Sequence, residues 1–328
     1  HASEVATEVT VEAAKIEALS ETGRYAWLPW AAALTRPETI KAWPAPAPIP
    51  PVAARPRRLR VTEIETWMRD PYEIYARHVL KLRAFDPIDA DAGSADYGTI
   101  VHSILQDFVR AYPDNLPKDI EKTLRELAAT TFSRADLAPG VLAFWAPRFE
   151  RISTWFASQE RDGRDEIQKA HAEVSGSITL TGPAGPFEIS ARADRIDELK
   201  DGSLAIIDYK TGAVPSTKEV AAGFAPQLPL EAVIAADGGF SGIPAKAVSD
   251  LAYWRLTGRG NGGEVRSAGD SADDLRAEAL AGLSTLITIF DDPATPYAAR
   301  PHPDMAPRYG DTQHLARVKE WSAAEGGE

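Results

Sequence analysis

Residues 191–230, ARADRIDELKDGSLAIIDYKTGAVPSTKEVAAGFAPQLPL, decide the fold of this chain. Two runs that suit β-strands flank the tripeptide at 200–202, and this arrangement predicts a β-hairpin with a three-residue loop. A loop centred on Asp201 sets the register so that Asp194 lies opposite Asp208. Directly opposed carboxylates roughly 5 Å apart destabilise a sheet unless a positive group lies between them. A divalent cation would be such a group.

The second strand of the hairpin, LAIIDYK at 204–210, alternates its side chains between the two faces of the sheet. Asp208 and Lys210 therefore share one surface, while Ile207 and Tyr209 lie on the other. Oxygen ligands suit Mg²⁺ or Mn²⁺, and a neighbouring ammonium can hold or activate a water beside a phosphate. The pattern favours phosphodiester hydrolysis, with a surface hairpin carrying solvated charges as the alternative interpretation.

DYKTG at 208–212 and QLPL at 227–230 follow Asp194, and together these motifs resemble the PD-(D/E)XK nuclease domains of the RecB type. The resemblance implies metal ligands from separate parts of the chain, namely His102, Asp194, Asp208 and the main-chain carbonyl of Tyr209. It also implies a catalytic set made of Lys210, Asp194, Asp208 and Gln227. Gln227 matches the family's downstream glutamine, and Ala191 stands where the family often has a glycine.

The same resemblance implies an α/β fold with a restriction-endonuclease-like core, in which helices flank a mixed sheet and further helices are added at the N-terminal side. The residue pattern agrees with parts of this fold. Residues 173–180 and 187–194 alternate like two antiparallel strands, and residues 248–256 suit a later strand.

Two further residues are candidates for the site. His102 lies next to the apolar stripe of a predicted helix that follows Gly98. A histidine in that position is either a hydrogen-bonded structural residue or a ligand, and the family's Tyr-Gly-x-x-x-His pattern favours the ligand. Glu173 is either a further acidic neighbour of the site or an exposed side chain at a strand edge.

The composition narrows the possible cofactors. The 328 residues are 44% hydrophobic and 26% charged, as in soluble globular proteins, and include no cysteine. Disulfides, zinc–thiolate sites and a cysteine-ligated iron–sulfur cluster are therefore excluded, although many RecB-type nuclease domains bind such a cluster. The expected cofactor is Mg²⁺ or Mn²⁺. Without a long apolar run or a signal-like N-terminus, we expect no membrane partner and a cytoplasmic, nucleoid-associated protein of a bacterium.

The charge is unevenly distributed along the chain. A formal net charge of −12 does not favour nucleic-acid binding. From Arg55 to Arg83, however, eight Lys or Arg residues against four acids give a local balance of +4. We expect this segment to line a DNA path through four arginines, Arg57, Arg58, Arg60 and Arg69. A merely solvated basic face is the alternative.

The proline-rich run PAPAPIPP at 44–51 is typical of an extended linker. It predicts a boundary near Ala54, with an N-terminal helical remnant and linker over 1–54 and the nuclease domain over 55–328. Thr62 is the expected N-cap of the first helix of that domain, and Glu65 completes a capping box.

Motifs between Arg55 and Trp321 resemble, in their order, the nuclease-bearing component of AddAB-type helicase–nucleases. The resemblance implies a Mg²⁺-dependent deoxyribonuclease, an exonuclease that processes broken DNA ends for recombinational repair. Its partners would be single-stranded or unwound DNA and an AddA-like helicase–nuclease subunit. The sequence has no G-x-x-x-x-G-K-[ST] phosphate loop. Two alternatives stay open, a non-catalytic single-stranded-DNA-binding or scaffold module of such a complex and a standalone RecB-like exonuclease.

Overall fold

A computed structural model describes residues 44–85, 92–306 and 310–325. Residues 45–317 form one compact unit. Most of the predicted N-terminal remnant lies outside the described residues, and the domain boundary at residue 54 stays a prediction.

The described part of the unit contains six strands and eight α-helices, with short 3-10 and π turns between some of them, and a ninth described α-helix follows it. In chain order the elements are β1 (Arg58–Arg60), α1 (Val61–Arg69), α2 (Pro71–Ile74), α3 (Ser94–Ala111), α4 (Ile120–Arg134), α5 (Pro139–Gly163), β2 (Ile167–Gly182), β3 (Gly185–Leu199), β4 (Leu204–Lys210), α6 (Thr217–Ala221), α7 (Gln227–Ala236), β5 (Val248–Arg255), β6 (Glu264–Ser267), α8 (Ala272–Asp291) and α9 (Val318–Glu325).

The sheet has the order β1-β3-β4-β5-β6, and β2 pairs with β3. The β1–β3 and β4–β5 pairs are parallel, and the other pairs are antiparallel. One apolar core includes residues of α1, α7 and α8, and a second core includes residues of α3, α4 and α5. The predicted class, a mixed sheet flanked by helices, is confirmed.

The β3–β4 hairpin has the predicted register. Arg195 pairs with Ile207, and the same offset continues to the pair Glu198 and Leu204. The loop is closed by a backbone hydrogen bond from Leu199 to Ser203, and Gly202, its last residue, has φ of 90°. A positive φ is the conformation for which glycine was expected at the end of this loop.

Strand β3 has two edges. β2 pairs along one of them, and β1 and β4 pair with different parts of the other, which leaves the middle of that second edge without a partner strand. β1 covers it as far as the pair Arg60 and Ser190, and β4 covers it from the pair Arg195 and Ile207 onward. Residues 191–194 of β3 therefore form a notch, and the carboxyl ends of β1 and β4 both approach it.

The first helix starts earlier than predicted. α1 begins at Val61 with Arg60 as its N-cap, and the Arg60 backbone amide donates to the Glu63 carboxylate at 2.9 Å. Thr62 is therefore not the cap, and the predicted Thr62–Glu65 capping box is wrong. The reason is tertiary, since β1 pairs with β3 up to Arg60 and the helix follows this strand without a linker.

Arg55, which is buried, joins the start of the compact unit to the C-terminal end of α8. Its guanidinium donates to the carbonyls of Pro50, Phe290 and Asp292 at 2.7–3.0 Å. Backbone hydrogen bonds add to this, because the amides of Tyr297 and Ala299 donate to carbonyls in the proline-rich run. The described part of that run is thus hydrogen-bonded within the compact unit, whereas the sequence predicts a linker.

Across the described ranges, no helix combines the length and the apolar character needed to cross a membrane.

Candidate active site

The carboxyl end of β4 carries a buried carboxylate held by two polar side chains. Asp208 has a side chain only 3% exposed, and Lys210 Nζ lies 2.8 Å from its Oδ2. Gln227, at the first turn of α7, donates from Nε2 to Asp208 Oδ1 at 2.6 Å and accepts from Lys210 Nζ at 3.2 Å. The three side chains form a closed triangle of hydrogen bonds. The structure thus brings together Asp208, Lys210 and Gln227, as the sequence predicts.

Burial and charge change the protonation of this triangle. Burial raises the pKa of Asp208 to about 6, opposed by the positive charge of Lys210 and reinforced by Asp194. Burial alone would lower the pKa of Lys210, but the adjoining Asp208 carboxylate outweighs it, and the net shift is upward. Lys210 is therefore an ammonium at neutral pH.

Asp194 lies at the point where β3 and β4 separate. The ladder between them ends at Arg195 and Ile207, and the amide of Tyr209 then donates to Asp194 Oδ2 at 2.8 Å instead of to the backbone. The other oxygen, Oδ1, is 3.3 Å from His102 Nδ1. The carboxylate thus replaces a missing ladder bond and faces helix α3 at the same time. The carbonyl of Tyr209 remains a predicted ligand.

His102, Glu173 and Asp194 each offer a ligand atom, and these atoms lie within 4.8 Å of one another. Two carboxylates and one imidazole are donors that suit a divalent cation such as Mg²⁺ or Mn²⁺. Asp208 is not in this group. Its Oδ1 accepts from Lys210 and Gln227, whereas its buried Oδ2 lies near the Lys210 ammonium and accepts no hydrogen bond. The cluster fits a metal site and adds Glu173 to the candidates, and Asp208 remains a predicted ligand.

The backbone at Glu173 is strained. Its φ is 54°, in the left-handed region that costs a non-glycine residue roughly 1–2 kcal/mol. Ala172 and Val174 pair with β3 on either side, while Glu173 lies between them, level with Asp194. Burial, followed by the charge of Asp194, raises the pKa of Glu173. Of the two interpretations from the sequence, the acidic neighbour of the site is the one that this placement favours.

Helix α3 can approach the end of β4 because of a glycine. A Cβ added at Gly98 would lie 3.1 Å from Thr211 Oγ1, which is tighter than ordinary van der Waals contact. One turn further along α3, the ring of His102 meets the ring of Tyr209 edge-on at 5.8 Å. Burial alone would lower the pKa of His102, but the hydrogen bond and charge of Asp194 raise it overall. Protonation therefore competes with metal binding at His102.

We expect His102→Ala to weaken Mn²⁺ binding to the metal-depleted chain by at least about tenfold, because one nitrogen donor is lost. Isothermal titration calorimetry measures the affinity. His78→Ala is a matched control, since the two histidine side chains are 27% and 25% exposed and each faces one carboxylate, Asp194 and Glu63 respectively. An unchanged affinity in His102→Ala would mean that His102 is a structural residue and not a metal ligand.

A second buried acid, Glu231, lies one turn after Gln227 on α7. It is 1% exposed, and its Oε1 accepts from Gln227 Nε2 at 3.3 Å. Burial, followed by the charges of Asp208 and Asp194, raises the pKa of Glu231 well above its ordinary value. Glu231 thus holds the nitrogen side of the Gln227 amide, which leaves the amide oxygen facing Lys210.

The four arginines predicted to bind DNA divide into two pairs. Arg57 is paired with Asp291 and donates to the Pro186 carbonyl. The Arg69 side chain is 14% exposed and donates to the carbonyls of two distant residues, Phe224 and Met305. Arg58 and Arg60 are exposed and line a surface groove that also reaches Gln227 and Glu231. The DNA-binding role of all four stays a prediction.

Sequence reasoning missed Glu231 and Arg192. A signal for Glu231 existed, since it is the one charged residue in the helix QLPLEAVIAA, at the i+4 position from Gln227. Arg192 pairs with Glu173 and lines the cavities on either side of the carboxylates. No local pattern marks it.

Comparison with known proteins agrees with this geometry. The family described as PD-(D/E)XK nuclease superfamily matches residues 58–306. An uncharacterized protein of Rickettsia bellii is 31% identical over 186 residues, covering 57% of this chain and 22% of that protein. One of the subunits of the ATP-dependent helicase/deoxyribonuclease of Streptococcus agalactiae is 24% identical over 163 residues, covering 48% of this chain and 14% of that protein.

The chain thus spans less than a quarter of the length of these relatives. Among solved structures, SSO0001 has a TM-score of 0.30 and 11% identity over 69% of this chain and 76% of that one, a likeness too low to carry an argument. The family match covers most of the compact unit, including every site residue described above. The chain belongs to the PD-(D/E)XK nuclease superfamily.

Proposed function

We propose that this chain is a metal-dependent deoxyribonuclease that hydrolyses phosphodiester bonds in single-stranded or unwound DNA. The observation that carries the proposal is the contact between two clusters, the His102–Glu173–Asp194 group and the Asp208–Lys210–Gln227 triangle. They are joined through adjacent backbone, since Asp194 accepts from the amide of Tyr209 between Asp208 and Lys210.

Lys210 is the group that acts on the attacking water in this proposal. Asp208 and Gln227 hold its ammonium in a fixed position. The ammonium is therefore already oriented before the reaction begins. Because the pKa of Lys210 is raised, the ammonium orients the water and stabilises negative charge on the phosphate. Gln227 fixes the spacing between Asp208 and Lys210.

His102, Glu173 and Asp194 would hold the cation, with Asp208 and the Tyr209 carbonyl as further predicted ligands. The chemistry that Mg²⁺ or Mn²⁺ supplies in such a site is stabilisation of charge that grows on phosphate oxygens. Asp194 has a second task, because it also receives the Tyr209 amide and so keeps the end of β4 in place.

We further propose that the chain is the nuclease module of an AddB-like protein, of the alphaproteobacterial type, in a helicase–nuclease. The similarity to a helicase/deoxyribonuclease component supports this assignment, and so does the small share of the relatives that the chain covers. An AddA-like subunit would then be the partner, and the substrate would be the ends of broken DNA during recombinational repair. Exonuclease action and association with the nucleoid belong to the same proposal.

The test is cleavage of end-labelled single-stranded DNA by the purified chain. We expect products with Mg²⁺ or Mn²⁺ and none with EDTA, and the ladder of product lengths distinguishes stepwise from internal cutting. An identical digestion of circular single-stranded DNA would contradict the exonuclease assignment. Absence of metal-dependent products from either substrate would contradict the nuclease proposal for this chain.

A further inference from the structure

A polar groove of about 640 Å³ leads to the site from the side of β1. Its lining comes from the carboxyl end of β1, the start of α1, the middle of β2, the notch residues of β3 and the first turn of α7. Gln227 and Glu231 are also in its lining. We name this cavity the arginine groove after three of its lining residues, Arg58, Arg60 and Arg192.

A second cavity, of about 710 Å³, is lined by other residues of the site. Its lining includes the amino-terminal half of α3 together with Glu173 and the end of β4. Arg192 lines both cavities. His102 and Lys210 line the second cavity, while Gln227 lines the first. Every residue of the candidate site except Asp194 and Asp208 thus lines one of the two cavities.

The chemistry of the arginine groove suits a sugar–phosphate backbone. Between the three guanidinium groups are hydroxyls and small side chains, namely Thr62, Ser175, Ser177, Ser190 and Ser241. No aromatic ring lines the groove where the structure describes it. Phosphate binding uses cations and hydroxyls, whereas stacking on bases needs aromatic faces. The lining therefore favours contact with the backbone over contact with the bases.

The two β1 arginines are available for such contacts. The Arg58 side chain is 70% exposed and lies 3.5 Å from the Glu188 carboxylate. Solvent screens this ion pair, so it holds the guanidinium only weakly. Arg60 is exposed, and no described carboxylate lies within ion-pair distance of it. The Arg192 side chain is 58% exposed although it also pairs with Glu173. Arg57 and Arg69 are not in the lining, because their guanidinium groups are bonded within the protein.

The distribution of cations favours one strand over two. Arg58, Arg60 and Arg192 line one cavity, and that lining includes no other Lys or Arg among the described residues. A duplex presents two phosphate backbones on either side of its grooves. A single set of cations in one groove suits one backbone.

We infer that a single strand of nucleic acid lies in the arginine groove, with its phosphates on Arg58, Arg60 and Arg192, and passes over the notch into the second cavity. This inference rests on the proposed function, because it takes the carboxylate site at the notch as the place of cleavage. It adds the route of the strand and a mode of binding that is indifferent to base sequence.

The test measures binding separately from cleavage, by fluorescence anisotropy of a labelled oligothymidylate with the full 328-residue chain in EDTA. Each phosphate contact with a single strand contributes about −0.7 to the slope of log K against log salt. We expect the double variant Arg58→Ala/Arg60→Ala to reduce the magnitude of that slope by about 1.4. Oligodeoxyadenylate should bind with the same slope, and blunt duplex should fail to displace the strand at equal nucleotide concentration.

Arg125→Ala is the matched control, because this arginine is 54% exposed, faces one carboxylate at 3.7 Å and is not in the lining. An unchanged slope in the double variant, an equal loss in Arg125→Ala, displacement by duplex or absence of binding would each overturn the inference. A different result would contradict the proposed function, namely the absence of metal-dependent cleavage by the wild-type chain. The expected change in slope together with absent cleavage would leave a strand-binding module without nuclease activity.

Discussion

Lys210→Ala is expected to lower the rate of metal-dependent strand cleavage by about 10³-fold, because the variant loses a positioned cation next to the reacting phosphate. The ammonium is held 2.8 Å from one Asp208 oxygen and 3.2 Å from Gln227 Oε1, so no other described side chain replaces it without moving. Single-turnover cleavage of end-labelled DNA measures the rate, and strand binding in EDTA should remain within a few-fold of wild type, as expected for the loss of one phosphate contact.

Removal of Lys210 also leaves the buried Asp208 without its cation, so the fold of the variant must be checked by thermal unfolding. Lys218→Ala is the control, since Lys218 is exposed on α6 and the change in net charge is the same. Cleavage by a folded Lys210→Ala chain at the rate of the Lys218→Ala chain would remove Lys210 from the mechanism.

Glu231→Gln is expected to stabilise the metal-free chain at neutral and alkaline pH. The pKa of Glu231 is raised in the native state, so between the unfolded value of 4.5 and the higher native value the folded chain holds a proton that the unfolded chain has lost. Stability from this residue is therefore fully present below pH 4.5 and decreases as the pH rises, by roughly 1.4 kcal/mol per pH unit. Glutamine keeps an oxygen that can accept from Gln227 and has no proton to lose.

We expect the free energy of unfolding of Glu231→Gln to exceed that of wild type by an amount that grows as the pH is raised above 5, measured by urea denaturation in EDTA. Glu126→Gln, at a glutamate with 68% of its side chain exposed, should show no such dependence. A difference between Glu231→Gln and wild type that does not grow with pH would mean that Glu231 is ionised in the folded chain.

The core of the site was predictable because it depends on local geometry. A three-residue loop fixes the register of the hairpin, and the alternation of a strand fixes which side chains share a face. The pair Arg195 and Ile207, and the contact of Asp208 with Lys210, follow from these two rules. The position of Gln227 came from the family resemblance, because no local rule brings α7 to the end of β4.

What could not be predicted depends on partners from distant parts of the chain. The carbonyls of Phe224 and Met305 engage Arg69, and Asp291 engages Arg57, so net charge along a segment did not indicate which guanidinium groups are free. Glu173 joins the metal cluster through a left-handed backbone conformation that alternation does not anticipate. The upward shift in the pKa of Glu231 follows from complete burial. A single charged residue in an apolar helix indicates that burial only in part.

The buried Arg55 has a consequence for where the chain can be shortened. Its guanidinium bonds carbonyls at residues 50, 290 and 292, and the buried amides of Tyr297 and Ala299 donate to carbonyls of the proline-rich run. A chain that begins at the predicted boundary near residue 54 would lose the acceptors in that run and leave buried donors unpaired. A shortened version that keeps the fold therefore has to retain the proline-rich run.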